Sequence, residues 1–212
     1  MFSLQTIFGK GDKFYGLLEA SADAALLSAR ALGSMLAKSA KGAEKPALDE
    51  FRVARKREKE LFAQINLELV NTFVTALERE DIEALAGALY KIPKTVEKFA
   101  ERHALFADRL TDIDYSSQAA MLERACEVIV KMVGELRGGF KLDVMHGLNE
   151  RMQSIESEAD RLLLALYRQL FSDDADAARL MVRKDLFELL EKAIDRCRDA
   201  GNVIYHIALK NS

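Results

Sequence analysis

From Leu148 to Ile207 the chain carries apolar residues at alternating steps of four and three, and the same ladder occurs 101 residues earlier. The later copy reads Leu148, Met152, Ile155, Ala159, Leu162 and Leu166, then Leu186, Leu190, Ala193, Cys197, Ala200, Ile204 and Ile207. Subtracting 101 gives Ala47, Phe51, Ala54, Glu58, Leu61 and Ile65, then Leu85, Leu89, Ile92, Val96, Phe99, His103 and Phe106. Eleven of these 13 are apolar, where a chain with 50% hydrophobic residues would place six or seven by chance. Steps of four and three draw one stripe along a helix, the seam by which helices pack side by side. Its return at a fixed offset predicts an all-α fold of two tandem three-helix units, residues 1–106 and 107–212, packed as one continuous domain. The first and fourth helices align better at an offset of about 98, as a linker shorter by three residues would produce.

Only two Pro and 11 Gly in 212 residues, no Trp and 31% charged residues fit long helices rather than a turn-rich β fold. Asp12 is read as the N-cap of a first helix reaching Lys38, and Pro46 as the opening of a second that ends near Thr75. Glu78 to Asp81 begins a third, which ends near Phe106. A fourth covers Ser117 to Leu136 and stops at Gly138 and Gly139, and a fifth runs from Leu142 to Leu170. The sixth, reaching Leu209, is expected to start with a short separate piece. Pro93 falls inside the third helix and predicts a kink or break between Leu89 and Pro93. A formal charge of -3 gives no electrostatic reason for nucleic acid as a partner. Cys126 and Cys197 sit in apolar helical patterns as small core residues, which suits a reducing compartment. No apolar run has the length of a signal peptide core or a membrane span, so the expectation is a soluble, cytoplasmic protein without membrane insertion.

The polar residues that stand out are Glu156 with Asp160 and Glu191 with Asp195, each pair four residues apart. On a helix both members of a pair share one face. Two such helices side by side gather four carboxylates, which repel unless a Lys or Arg, a proton or a metal ion lies among them. Arg161, Lys192 and Arg196 are close enough in sequence to screen them. Subtracting 101 turns the four into Arg55, Lys59, Tyr90 and Lys94, so the register survives while the charge inverts. These basic residues read either as a solvated face or as fixed charge in place of a metal, offering a patch to an acidic partner such as another copy.

The acidic pairs match the E/D-x-x-x-D motif of the PhoU-like family. The segments Phe73-Val-Thr-Ala-Leu-Glu-Arg-Glu-Asp-Ile82 and Leu190-Glu-Lys-Ala-Ile-Asp-Arg-Cys-Arg-Asp199 are similar to its connection and its ending. The resemblance covers most of the chain and is to the branch of regulators associated with Pit-type phosphate transporters. It implies a duplicated three-helix bundle, clusters of iron, zinc or related metals on the acidic motifs, and a cytoplasmic regulatory role in phosphate uptake. Because the first half departs from the motif, at most one metal site carries over, with Glu156, Asp160, Glu191 and Asp195 as ligands for iron, zinc or manganese. A membrane phosphate transporter of the Pit type is the implied partner, and long seamed helices make a homo-oligomer reasonable.

Two other readings compete. One is a structural helical interaction module whose carboxylates are merely solvated. The other is a di-iron carboxylate oxidase, which also requires Glu-x-x-His pairs on facing helices. Only His103, His146 and His206 are present, and His146 lies ten residues before Glu156, roughly 15 Å along a helix. No phosphate loop, nucleophile context or Cys/His metal spacing supports another enzyme class, so no catalysis is expected.

Overall fold

A computed structural model describes residues 4–39, 48–107, 110, 112–172 and 176–212, with no account of the side chains of 4–12 and 171–172. These residues form six helices and no strand: α1 (Leu4–Ser39), α2 (Asp49–Asn71), α3 (Arg79–Phe106), α4 (Ser116–Arg137), α5 (Leu142–Ser172) and α6 (Ala177–Asn211). The all-α expectation holds. α1, α2 and α3 pack on one another, and so do α4, α5 and α6 except that α5 meets α4 more sparsely than α6; α1 lies against α4 and α3 against α6. Helices α2 and α5 thus flank a central layer of four.

The repeated seam is the core. Leu85, Leu89, Ile92, Val96 and Phe99 of α3 and Leu186, Leu190, Cys197, Ala200, Ile204 and Ile207 of α6 have no exposed surface. Burying one such side chain is worth about 1.5–3 kcal/mol, so a stripe of five or more decides how a helix turns. Phe106, at the end of the stripe, is 37% exposed instead. Ion pairs stitch the outer edges of the central layer: Arg137 to Glu19 at 2.8 Å joins α4 to α1, and Lys210 to Asp81 at 3.0 Å joins α6 to the start of α3. The Arg79 guanidinium donates to the carbonyls of Leu69 and Thr72, closing the last turn of α2.

Three local expectations are corrected. α1 already runs at Leu4, so Asp12 lies inside it rather than capping it; one capping residue does not halt a helix that can continue on both sides. α6 is one uninterrupted helix from Ala177 with no separate opening piece among the described residues, and Pro46 lies outside them. α3 continues through Pro93, which removes the expected break between Leu89 and Pro93 and leaves the kink as the expectation. Burial of Pro93 with Leu89, Ile92 and Val96 around it outweighs the missing backbone hydrogen bond, and the Thr95 hydroxyl donates to the Lys91 carbonyl at 2.9 Å.

Gly201 of α6 corresponds to Ala100 of α3, and both are fully buried. A methyl group at Gly201 would meet only side chains, Met152 Cγ at 3.4 Å, Met132 Sδ at 3.6 Å and Ile129 Cδ1 at 3.7 Å. Gly201→Ala is therefore expected to stabilise the protein by about 0.5–1 kcal/mol through helix propensity, read as a higher melting temperature. A lower melting temperature would show that the two methionines cannot yield.

Candidate functional site

α5 and α6 pack side by side, and their contact brings the two acidic pairs together. Asp160 is exposed, while Glu156, Glu191 and Asp195 are half-buried. The charges are mutually felt: the Glu191 carboxyl is pushed up to about 7 by burial first, then by Asp195 and Asp160, with Arg198 opposing and Glu156 adding. Asp195 is also raised, chiefly by burial. Both groups therefore make folding more costly as pH rises through the range where they ionise, and cost nothing in acid.

The cation that holds the cluster together is Arg198, three residues beyond Asp195 on the same face of α6. Its Nη1 donates across the helix interface to Glu156 and lies 3.0 Å from Asp195. None of Arg161, Lys192 and Arg196, the cations singled out by sequence proximity, takes this position; Arg196 pairs with Asp199 at 2.9 Å. Subtracting 101 from 198 gives Glu97, and that would have been the signal. Among the described residues, no three His, Cys, Asp or Glu side chains are arranged to hold a metal ion as they stand. His103 is buried against Phe99 and Tyr115, and His146 meets Tyr205 at 3.1 Å and Glu150 at 3.3 Å, so neither joins the carboxylates as an oxidase would need.

The equivalent place on α2 and α3 has the same layout with opposite charge. Arg55 is buried, its Nε lies 3.5 Å from Glu97, and its guanidinium carbon stands 4.0 Å from the centre of the Tyr90 ring. Lys94 faces that ring at 5.9 Å, and Phe62 packs against it at 4.9 Å. A hollow of about 400 Å³ lies elsewhere, lined by His103, Tyr115 and the 112–116 segment, and includes none of these residues.

No family model matches the chain. Over 145 residues it is 24% identical to the UPF0111 protein YkaA of Bacillus subtilis (strain 168), spanning 68% of this chain and 70% of that protein. Among solved structures, a PhoU-like protein from Shewanella oneidensis MR-1 superposes with a TM-score of 0.78 at 20% identity, covering 93% of this chain and 99% of the other. The fold is that of the PhoU-like proteins. A second Shewanella oneidensis MR-1 structure, described as a PhoU-like phosphate regulatory protein, gives a TM-score of 0.77 at 19% identity over the same shares. PhoU from Pseudomonas aeruginosa gives 0.62 at 14% identity, covering 99% of this chain and 98% of its own. No described helix is long and apolar enough to cross a membrane.

Proposed function

We propose that this chain is a non-catalytic regulatory or accessory protein of inorganic phosphate transport, acting in the cytoplasm beside a membrane transporter of the Pit type. The PhoU-like fold over 93% of the chain supports the reading, together with a structural relative described as a phosphate regulatory protein. Deleting the chain in its own host should change the rate of phosphate uptake, and unchanged uptake at both low and high phosphate would remove the transport role.

The acidic groove is where such a protein would take a metal ion. Four carboxylates are hard oxygen donors suited to iron or manganese and, less selectively, zinc. Glu191 is held at about 7 by burial first and by the neighbouring carboxylates second, and a bound cation would oppose both. In kind the residues fit, once Arg198 turns away from Glu156 and Asp195. Elemental analysis after exposure to iron, manganese and zinc should then find stoichiometric metal, and none in a Glu156→Gln, Asp195→Asn double variant. Metal in neither protein leaves the second reading, a helical interaction module in which Arg198 permanently fills the groove, as its present contacts with Glu156 and Asp195 favour.

A further inference from the structure

The basic groove on α2 and α3 stands apart from the acidic one, and its cations are only loosely paired. Arg55, Lys59 and Arg52 all act on Glu97, although Arg52 also pairs with Asp49 at 3.3 Å and Arg55 also acts on the buried Glu58. Burial raises the Glu97 carboxyl, a neighbouring Glu101 raises it further, and Arg55, Lys59 and Arg52 pull it down. So three cations bear on Glu97, but Lys59 and Lys94 have no carboxylate of their own in contact among the described residues. Even the closest is loose: Arg55 Nε stands 3.5 Å from Glu97, while the equivalent pair in the other half, Arg198 with Glu156, is hydrogen-bonded. Arg55 Nη1 is buried and donates to nothing among the described residues. Lys59 and Lys94 are exposed, and neither has a carboxylate within 4.0 Å among them.

A solvated face is the plain alternative, but it does not explain why Arg55 is 95% removed from water by packing on Tyr90. Burying a guanidinium costs several kcal/mol unless its donors are met. A positive group with its desolvation already incurred and a donor edge unmet, beside two free ammonium groups, is the environment that binds an anion in water. An arginine fixed flat on an aromatic ring is also pre-organised, which lowers the entropy lost on binding.

We propose that the groove formed by Arg55, Lys59, Tyr90 and Lys94 binds a small, multiply charged oxyanion of the phosphate or sulfate type, which competes with Glu97 for these cations. Arg55 and Tyr90 make the floor; Lys59 and Lys94 make the rim. Glu97 acts as an internal stand-in, occupying the positive field when no anion is present. The two grooves then have opposite ligand charge, each with one built-in counter-ion of the displaceable kind. The proposal does not depend on metal at the acidic groove, since none of its residues lie there.

Isothermal titration of the purified full chain with inorganic phosphate, and separately with sulfate, at ionic strength held constant with potassium chloride, tests it. The native protein should bind one anion saturably. Lys59→Ala with Lys94→Ala should weaken binding at least about tenfold, the scale of 1.4 kcal/mol. Glu97→Gln should tighten it several-fold, because the competing carboxylate is gone. All three positions are at least partly exposed, and melting curves confirm that each variant is folded. Preference for phosphate over sulfate, or the reverse, identifies which oxyanion the groove takes. No saturable binding, or binding that none of these substitutions changes, overturns the proposal. Self-association that weakens with salt and is abolished by Lys59→Ala and Lys94→Ala, seen by sedimentation without anion binding, also overturns it, and assigns the patch to the acidic face of a second copy.

Discussion

With Glu58 replaced by Gln, the protein is expected to melt about 5–10 °C higher near pH 9, and to lose most of the difference near pH 5. Glu58 sits on the buried stripe of α2, fully enclosed, and neither carboxylate oxygen has a hydrogen-bond partner among the described residues. Burial pushes its carboxyl up to about 8, against the smaller opposing effects of Ser21, Arg55 and Arg57. A group raised in the folded state costs nothing below its unfolded value, and the cost accumulates as pH climbs toward the folded value. Each unit of displacement corresponds to about 1.4 kcal/mol, so the ionised carboxylate works against folding by a few kcal/mol in mild alkali. Gln keeps the shape and removes the charge, although its own amide is left short of partners, which trims the gain. Position 58 corresponds to Ala159, buried in α5, so the fold does not require a carboxylate there. Equal pH dependence in the native protein and Glu58→Gln would show that Glu58 finds water or a partner after all.

Arg198→Ala carries the second large effect, in the opposite direction. The change leaves Glu156, Asp160, Glu191 and Asp195 facing one another with no cation in contact. The Arg198 and Glu156 side chains are 28% and 14% exposed, so the loss should exceed that of an ordinary surface pair, about 1–3 kcal/mol near pH 8. Glu191 and Asp195 are already raised and would rise further, so the penalty should shrink as pH falls toward 5 and protons replace the guanidinium. Millimolar manganese separates the two readings of the groove. Recovery of the lost melting temperature by the variant means that the carboxylates can converge on a metal. If the variant stays low in manganese yet recovers in acid, the groove binds protons and arginine only. A melting temperature unmoved at every pH would mean that the cluster is solvated and Arg198 merely rests on it.

The parts legible in the sequence are those governed by periodicity. Leu85 to Phe99 and Leu186 to Ile207 declare their buried faces because burying many apolar side chains dominates every other local preference, and the 101-residue offset shows that the same arrangement occurs twice. The acidic pairs were legible as pairs for the same reason, four residues being one turn. Their counter-ion was not. Arg161, Lys192 and Arg196 are as near in sequence, and only the rotation of α5 against α6 decides that Arg198 reaches Glu156. Pro93 does not break α3 because its cost is local and fixed, whereas what holds the helix together is the burial of Leu89, Ile92 and Val96 across the same turns. Asp12 misled for a related reason, since a cap signal marks where a helix can start, not where it must.

The inverted grooves leave an imprint that the overall charge of -3 conceals. Residues 1–106 hold sixteen Lys and Arg against fifteen Asp and Glu, while residues 107–212 hold fifteen against nineteen. The halves therefore carry net charges of +1 and -4, and α5, with three basic and five acidic residues, shares in the acidic excess. Approaching a positively charged surface, the molecule would tend to be turned before it arrives, with the 107–212 half leading. Orientation during encounter is then set by the duplicated frame itself, and salt would blur it long before it altered the fold.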